Sequence, residues 1–168
     1  MTKRRPKQPS YAGILIDDPH TLLRWWDERI GVPRLGACAF PCTRRVRPKD
    51  LHVTLVRRPD EETLRKLPLG EEVKLRVTGW AANEDVQALV VDCPLPCNNK
   101  VPHITIQTAK RQAWNRDEGA YVLLTVEAVE ANTLLAEGPV QEIDGPLLTG
   151  RVGFEIGGEF RFDLEDTS

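Results

Sequence analysis

The chain has no run of apolar residues approaching the roughly 20 that a membrane-spanning helix requires, so a helical membrane protein is excluded. Its first ten residues, Met-Thr-Lys-Arg-Arg-Pro-Lys-Gln-Pro-Ser, are basic but lack an apolar stretch, so they are not a secretory signal. They read instead as a solvated leader or linker, 1–10, ahead of one domain spanning 11–168. Cysteine is sparse, with four residues in two Cys-x-x-x-Cys pairs, Cys38/Cys42 and Cys93/Cys97. Four thiols could hold zinc, but these pairs sit in apolar, proline-rich surroundings without turn-forming glycines. Cysteine in such a setting behaves as a small hydrophobe. Reduced thiols in a nuclear or cytoplasmic protein are therefore expected, with no metal and no cofactor.

Neither sign of charge dominates the whole chain: 23 Lys and Arg against 25 Asp and Glu leave a net charge of −2. The balance hides a split. Residues 1–58 hold 13 basic and 5 acidic residues, while residues 59–168 hold 10 and 20. The basic part includes Arg44, Arg45, Arg47, Lys49, Arg57 and Arg58, which would draw a phosphate-bearing partner.

Histidine is rarer still, with only three residues, yet two of them share one setting. Leu51-His52-Val53-Thr54-Leu55 and Pro102-His103-Ile104-Thr105-Ile106 both read His, β-branched, Thr, aliphatic. At average residue usage such a tail follows a given histidine with a probability of roughly 0.002, so chance accounts poorly for the pair. Successive side chains alternate faces in a strand, so His52 and Thr54 share one face, and His103 and Thr105 share one face. Val53 and Ile104 point the other way, into a core. Each strand then offers an imidazole beside a hydroxyl, and two such strands facing across a cleft supply the groups for phosphodiester chemistry without metal. The third histidine, His20, lacks the threonine and reads as a surface or capping residue.

The remaining pattern predicts an α+β protein. Tyr11–Ile16 is a strand. Asp18 caps a helix opened by Pro19, with Leu22, Leu23, Trp26 and Ile30 at helical spacing and Gly31 and Pro33 ending it. A short strand is expected around Ala37–Phe40. Asp60–Leu67 is at most two helical turns. Val73, Leu75 and Val77 alternate with charges in a strand that runs on towards Trp80. Val86–Asp92 and His103–Thr108 are strands, Ala131–Glu137 a helix, and Val152–Leu164 a hairpin turning at Gly157-Gly158. Residues 109–128 are ambiguous, since the run Tyr121–Val129 suits a strand or a helix. Strand-helix-strand elements recur around each His motif, and a pseudo-twofold α+β architecture would put the two His strands at the floor of a central cleft.

The paired His-x-Thr motifs, about 50 residues apart, resemble those of the two-histidine (2H) phosphoesterase superfamily. Tyr11-Ala-Gly-Ile, Leu51–Leu55, the run Pro96–Ile106 and Glu130–Leu135 together are similar to the C-terminal cyclic phosphodiesterase domain of fungal tRNA ligase. The resemblance covers nearly all of the chain after the leader, and Asn99-Lys-Val-Pro-His-Ile-Thr105 is its most specific part. It implies a two-lobed, pseudo-twofold α+β fold, with antiparallel sheets lining a central cleft and helices outside, and a metal-independent hydrolase that opens an RNA 2′,3′-cyclic phosphate to a 3′-hydroxyl and a 2′-phosphate, healing tRNA exon ends during splicing. It also implies kinase and ligase domains of a parent polypeptide as partners. A monomer without membrane association is expected.

The chemistry suits those residues. One neutral histidine takes a proton from water while one imidazolium protonates the departing oxygen. The assignment carried forward is His103 as base and His52 as acid. Thr54 and Thr105 can donate to the non-bridging oxygens. Tyr11, Lys100 and Arg57 are candidate substrate-binding residues, and Trp80 and Trp114 could stack a base, whereas Trp25 and Trp26 suit a core. The His/Thr set alone equally serves a 2′–5′ linkage or an ADP-ribose cyclic phosphate. A non-catalytic RNA-end binder and a zinc-stabilised domain are the readings of other classes.

Overall fold

The structure is a computed structural model that describes residues 8–30, 43–83, 86–125 and 130–164, with the backbone alone at 43–44, 109–113, 121–125 and 130. Among these residues the chain is α+β: mostly antiparallel sheet with three α-helices. No helix among them is long and apolar enough to cross a membrane.

The first half runs β1 (Tyr11–Ile16), α1 (Pro19–Arg29), β2 (Thr43–Arg45), a 3₁₀ turn at Pro48–Asp50, β3 (His52–Arg57), α2 (Glu61–Lys66) and β4 (Glu72–Ala82). The second half runs β5 (Val86–Asp92), β6 (His103–Asn115), β7 (Ala120–Thr125), α3 (Glu130–Glu137), β8 (Gln141–Glu142), β9 (Leu147–Ile156) and β10 (Glu159–Arg161). Asp18 caps α1 as the sequence predicts, accepting from the Thr21 amide with Pro19 in the first turn, and Asp60 likewise accepts from the Thr63 amide at the head of α2. In β4 the inward Val73, Leu75 and Val77 are buried while the charged residues between them are exposed, as period-two alternation requires.

Two regions refine the sequence reading. The ambiguous stretch after Thr108 continues β6 to Asn115, turns at Arg116–Gly119 and returns as β7. The expected strand around Ala37–Phe40, the helix stop at Gly31 and Pro33, the leader up to Lys7, and Cys38 and Cys42 all lie outside the described residues.

The sheet closes on itself. β1 pairs with β3, β3 with β6, β6 with β5, β5 with β4, β4 with β9, and β9 with β1, always antiparallel. β9 makes this possible by presenting one edge to β1 along Gly150–Glu155 and the other first to β4, then to β10. The narrowest joint is β3 to β6, a single residue pair, Val53 with Ile104. The inward side chains of the ring, among them Ile14, Val53, Leu55, Leu75, Leu89, Ile104, Ile106 and Val152, are fully buried and form one core with Leu22, Leu23 and Trp26 of α1. Trp80 meets Trp26 edge-on at 6.1 Å and packs, half-buried, on this core.

Candidate active site

The joint between β3 and β6 is where the two motifs meet. Val53 and Ile104 are opposite each other and point into the core. Carried one residue either way, an antiparallel register sets His52 opposite Thr105 and Thr54 opposite His103, all four on the outer face. The two histidines then occupy diagonal corners of a square, with Cα atoms roughly 7–8 Å apart. The expected strands facing across a cleft are thus neighbours in one sheet. The flanking strands extend the pattern: Leu15 pairs with His52 and Gly13 with Thr54 on the β1 side, while Ala88 pairs with Thr105 and Val90 with His103 on the β5 side. Small or apolar residues therefore border the polar square.

Both imidazoles are held the same way. His52 Nδ1 lies 2.6 Å from the carbonyl oxygen of Asp50, and His103 Nδ1 lies 2.8 Å from that of Val101, in each case two residues earlier. A carbonyl only accepts, so each Nδ1 carries the hydrogen and each Nε2 keeps its lone pair in the neutral ring. The His52 Nε2 is 3.0 Å from Thr54 Oγ1, the side-by-side contact expected from the His-x-Thr spacing. His103 is 7% exposed and His52 half-buried. Burial lowers the proton affinity of both rings below the ordinary imidazole range, because it penalises the charged form. At His52 the Asp50 carbonyl, the Asp50 charge and Glu155 oppose this trend, while His103 reinforces it. At His103 only the Val101 carbonyl opposes it.

The other candidates separate into groups. Tyr11 joins the site, its ring stacked on His52 with centroids 4.1 Å apart and planes 14° apart. Lys100 is exposed in the loop entering β6, and Arg57 is exposed at the end of β3, opposite Tyr11 on β1. Of the basic cluster, Arg47, Lys49 and Arg58 are also exposed. Arg45 is engaged: both its terminal nitrogens contact the Asp27 carboxylate on α1, at 2.6 and 2.9 Å, which removes it from the cations offered to a phosphate. The Arg44 side chain lies outside the described residues. His20 is exposed at the start of α1, and Trp114 is 57% exposed near the tip of the β6–β7 hairpin.

The segment before β6 has a role that sequence reasoning missed. The Cys97 thiol donates to the Thr54 carbonyl at 3.2 Å, and the Asn98 amide donates to the Leu55 carbonyl at 2.9 Å. The loop leading to the second motif is thereby fastened to the strand of the first, where the ladder itself is thin. Cys93 and Cys97 are free and half-buried, and burial pushes both thiols up, away from the reactive thiolate. No group of three or more His, Cys, Asp and Glu side chains able to hold a metal ion occurs among the described residues. A cavity of about 630 Å³ opens beside Val90, with walls that include Arg76, Thr78, Glu142 and Asp144; neither motif histidine lines it.

No family model, curated protein or solved structure matches the chain.

Proposed function

We propose that this chain is a metal-independent phosphodiesterase that hydrolyses RNA 2′,3′-cyclic phosphate ends to a 3′-hydroxyl and a 2′-phosphate, of the two-histidine type. The observation that carries the reading is the matched pair: two imidazoles on one face of adjoining strands, each fixed through Nδ1–H to the carbonyl two residues earlier, each with a threonine two residues on. A structural histidine needs no such twin. In this reading the two lobes are the parts of the ring on either side of the β3–β6 joint, each contributing one motif, and the phosphate sits over the square.

The reaction then runs as follows. Neutral His103 accepts a proton at Nε2 from water, whose oxygen attacks phosphorus. Charge grows on the non-bridging oxygens, where the Thr54 and Thr105 hydroxyls donate. The bond from phosphorus to O3′ breaks, and imidazolium His52 supplies the proton to O3′. Burial alone would leave His52 neutral. The anionic cyclic phosphate adds a negative charge to those of Asp50 and Glu155 and favours the charged ring. The exposed Arg47, Lys49, Arg57, Arg58 and Lys100 supply positive charge for an RNA backbone. tRNA exon ends, with the healed end passing to kinase and ligase partners in the nucleus or cytoplasm, are the setting proposed.

The deciding experiment incubates an RNA oligonucleotide ending in a 2′,3′-cyclic phosphate with the protein in EDTA and identifies the product. A 2′-phosphate is expected. It resists a 3′-specific phosphatase and yields to a non-specific one. A 3′-phosphate product would reject the O3′ leaving group while keeping the two-histidine chemistry. Binding of the oligonucleotide without turnover would make the chain an RNA-end binder.

A further inference from the structure

The two histidines are clamped alike at Nδ1, but among the described residues a chain of aromatic contacts reaches only one of them. His52 stacks on Tyr11; Tyr11 lies 6.1 Å from Phe160; Phe160 meets Phe162 edge-on at 5.3 Å; and the Arg151 guanidinium sits 5.1 Å from the Phe162 ring centre. Gly153 of β9, directly opposite Gly13 of β1, makes room for two of these rings. A Cβ on Gly153 would lie 2.5 Å from Phe160 Cε1 and 3.0 Å from Phe162 Cδ1. Gly13 stands on the same face of β1 between Tyr11 and the level of His52, where a Cβ would strike the Val53 carbonyl of β3, so its absence lets β1 lie close against β3 beside His52.

The Tyr11 contact is a stacking contact. Its hydroxyl oxygen is 3.2 Å from His52 Nδ1, yet that nitrogen directs its hydrogen at the Asp50 carbonyl only 2.6 Å away. With the rings nearly parallel, the hydroxyl lies above the imidazole plane, where the ring has neither a hydrogen nor a lone pair to share. The face of a phenol attracts a cation, so the stack favours imidazolium over imidazole. The charged groups around His52 are Asp50 of the 3₁₀ turn, Glu155 of β9 and His103 of β6. The first two favour the imidazolium and the third opposes it.

We propose that Tyr11, backed by Phe160 and Phe162 of the β9–β10 hairpin, is a positioning residue that fixes the His52 ring plane and stabilises its protonated form, making the two histidines inequivalent. This rests on the phosphodiesterase reading for its catalytic consequence, but not for its effect on His52 itself.

The test uses Tyr11→Phe, Tyr11→Leu and Phe160→Leu in the full chain. Proton NMR follows the titration of both imidazoles in the presence of inorganic phosphate, and kcat and KM are measured on the cyclic-phosphate RNA. Tyr11→Phe keeps the ring and should stay within about threefold of wild type. Loss of a cation–π wall should lower kcat about three- to thirtyfold in Tyr11→Leu, with KM little changed. The His52 titration should fall by roughly half to one pH unit while that of His103 stays in place. Phe160→Leu should move His52 in the same direction by less. A phosphodiester with a nitrophenol leaving group, which needs little protonation, should be hydrolysed by Tyr11→Leu at nearly the wild-type rate. If Tyr11→Phe loses as much as Tyr11→Leu, or if His52 titrates unchanged in Tyr11→Leu, the proposal fails. Should wild type hydrolyse no cyclic phosphate, the function is wrong, and the titrations still decide the role of Tyr11.

Discussion

Gly13→Ala tests how closely the first strand must approach β3, which carries His52. Gly13 faces Thr54, where the register of β1 on β3 slips by one residue. A Cβ there would lie 2.2 Å from the Val53 carbonyl oxygen, at least 0.8 Å inside the 3.0 Å that real Cβ contacts respect. The clashing atom is backbone in the middle of a strand, so no side chain can swing away. β1 must shift, and with it the Tyr11 stack on His52. Overpacking of this kind costs about 1–3 kcal/mol, which lowers Tm by roughly 2–12 °C in a chain of this size. A displacement near 1 Å at a catalytic centre costs about 10²-fold in rate. Urea denaturation and kcat on cyclic-phosphate RNA, measured well below the variant's Tm, are the assays. Gly119→Ala is the control: its Cβ meets nothing within 4 Å, but its φ of 61° is left-handed, so it carries the backbone term alone, about 1 kcal/mol. An unchanged urea midpoint together with full activity in Gly13→Ala would refute the close approach of β1 and β3 and its link to the site.

His52→Ala and His103→Ala should each lower kcat by roughly 10²–10⁴-fold while leaving the folded near-UV spectrum intact; either one keeping activity within a few-fold of wild type contradicts the pairing. Thr54→Ala and Thr105→Ala each remove a single donor and should cost on the order of 10–10³-fold in kcat, read in the same assay. The histidines also link stability to pH. Both titrate below the ordinary value when folded, so the unfolded chain takes up protons first as the pH falls. Their contribution is complete above about pH 6.5 and is lost progressively below it, towards the folded values. Urea midpoints from pH 8 to 5 should fall, and fall less in a His52→Asn/His103→Asn double variant; equal slopes would contradict the depressed proton affinities.

Local rules made much of this molecule readable. Asp18 with Pro19 fixes the start of α1, alternation fixes β4, and the His-x-Thr spacing alone puts Thr54 beside His52, because each depends on neighbours a few residues away. What stayed hidden depends on partners far along the chain. That β3 and β6 adjoin rests on one pair, Val53 with Ile104, 51 positions apart. Arg45 is claimed by Asp27 on another element, which no charge count reveals. The Tyr11 stack needs a register slip and a glycine within a strand. Gly13 was the available signal, since glycine inside a strand often marks a bulge or a close approach. Residues 120–125 resisted assignment because Tyr121, Val122 and Thr125 favour a strand while the alanine and glutamate that follow favour a helix. The extension of β6 to Asn115 decides it by offering β7 an edge.

The closing of the ring by β9 bears on how the chain is made. β1 leaves the ribosome ahead of the other described strands and gains β3 on one edge early, but its other partner begins at Leu147, some 90 residues after β3 ends. At ordinary rates of synthesis that interval lasts about 5–18 s. Throughout it the second edge of β1, bordered by Ala12, Ile14 and Ile16, has unpaired amides and carbonyls and no cover from its own sheet. An open apolar edge is a template for another nascent chain. The steep demand on a chaperone therefore falls before β9 emerges, and a chain stopped before Leu147 should aggregate rather than persist as a shortened fold.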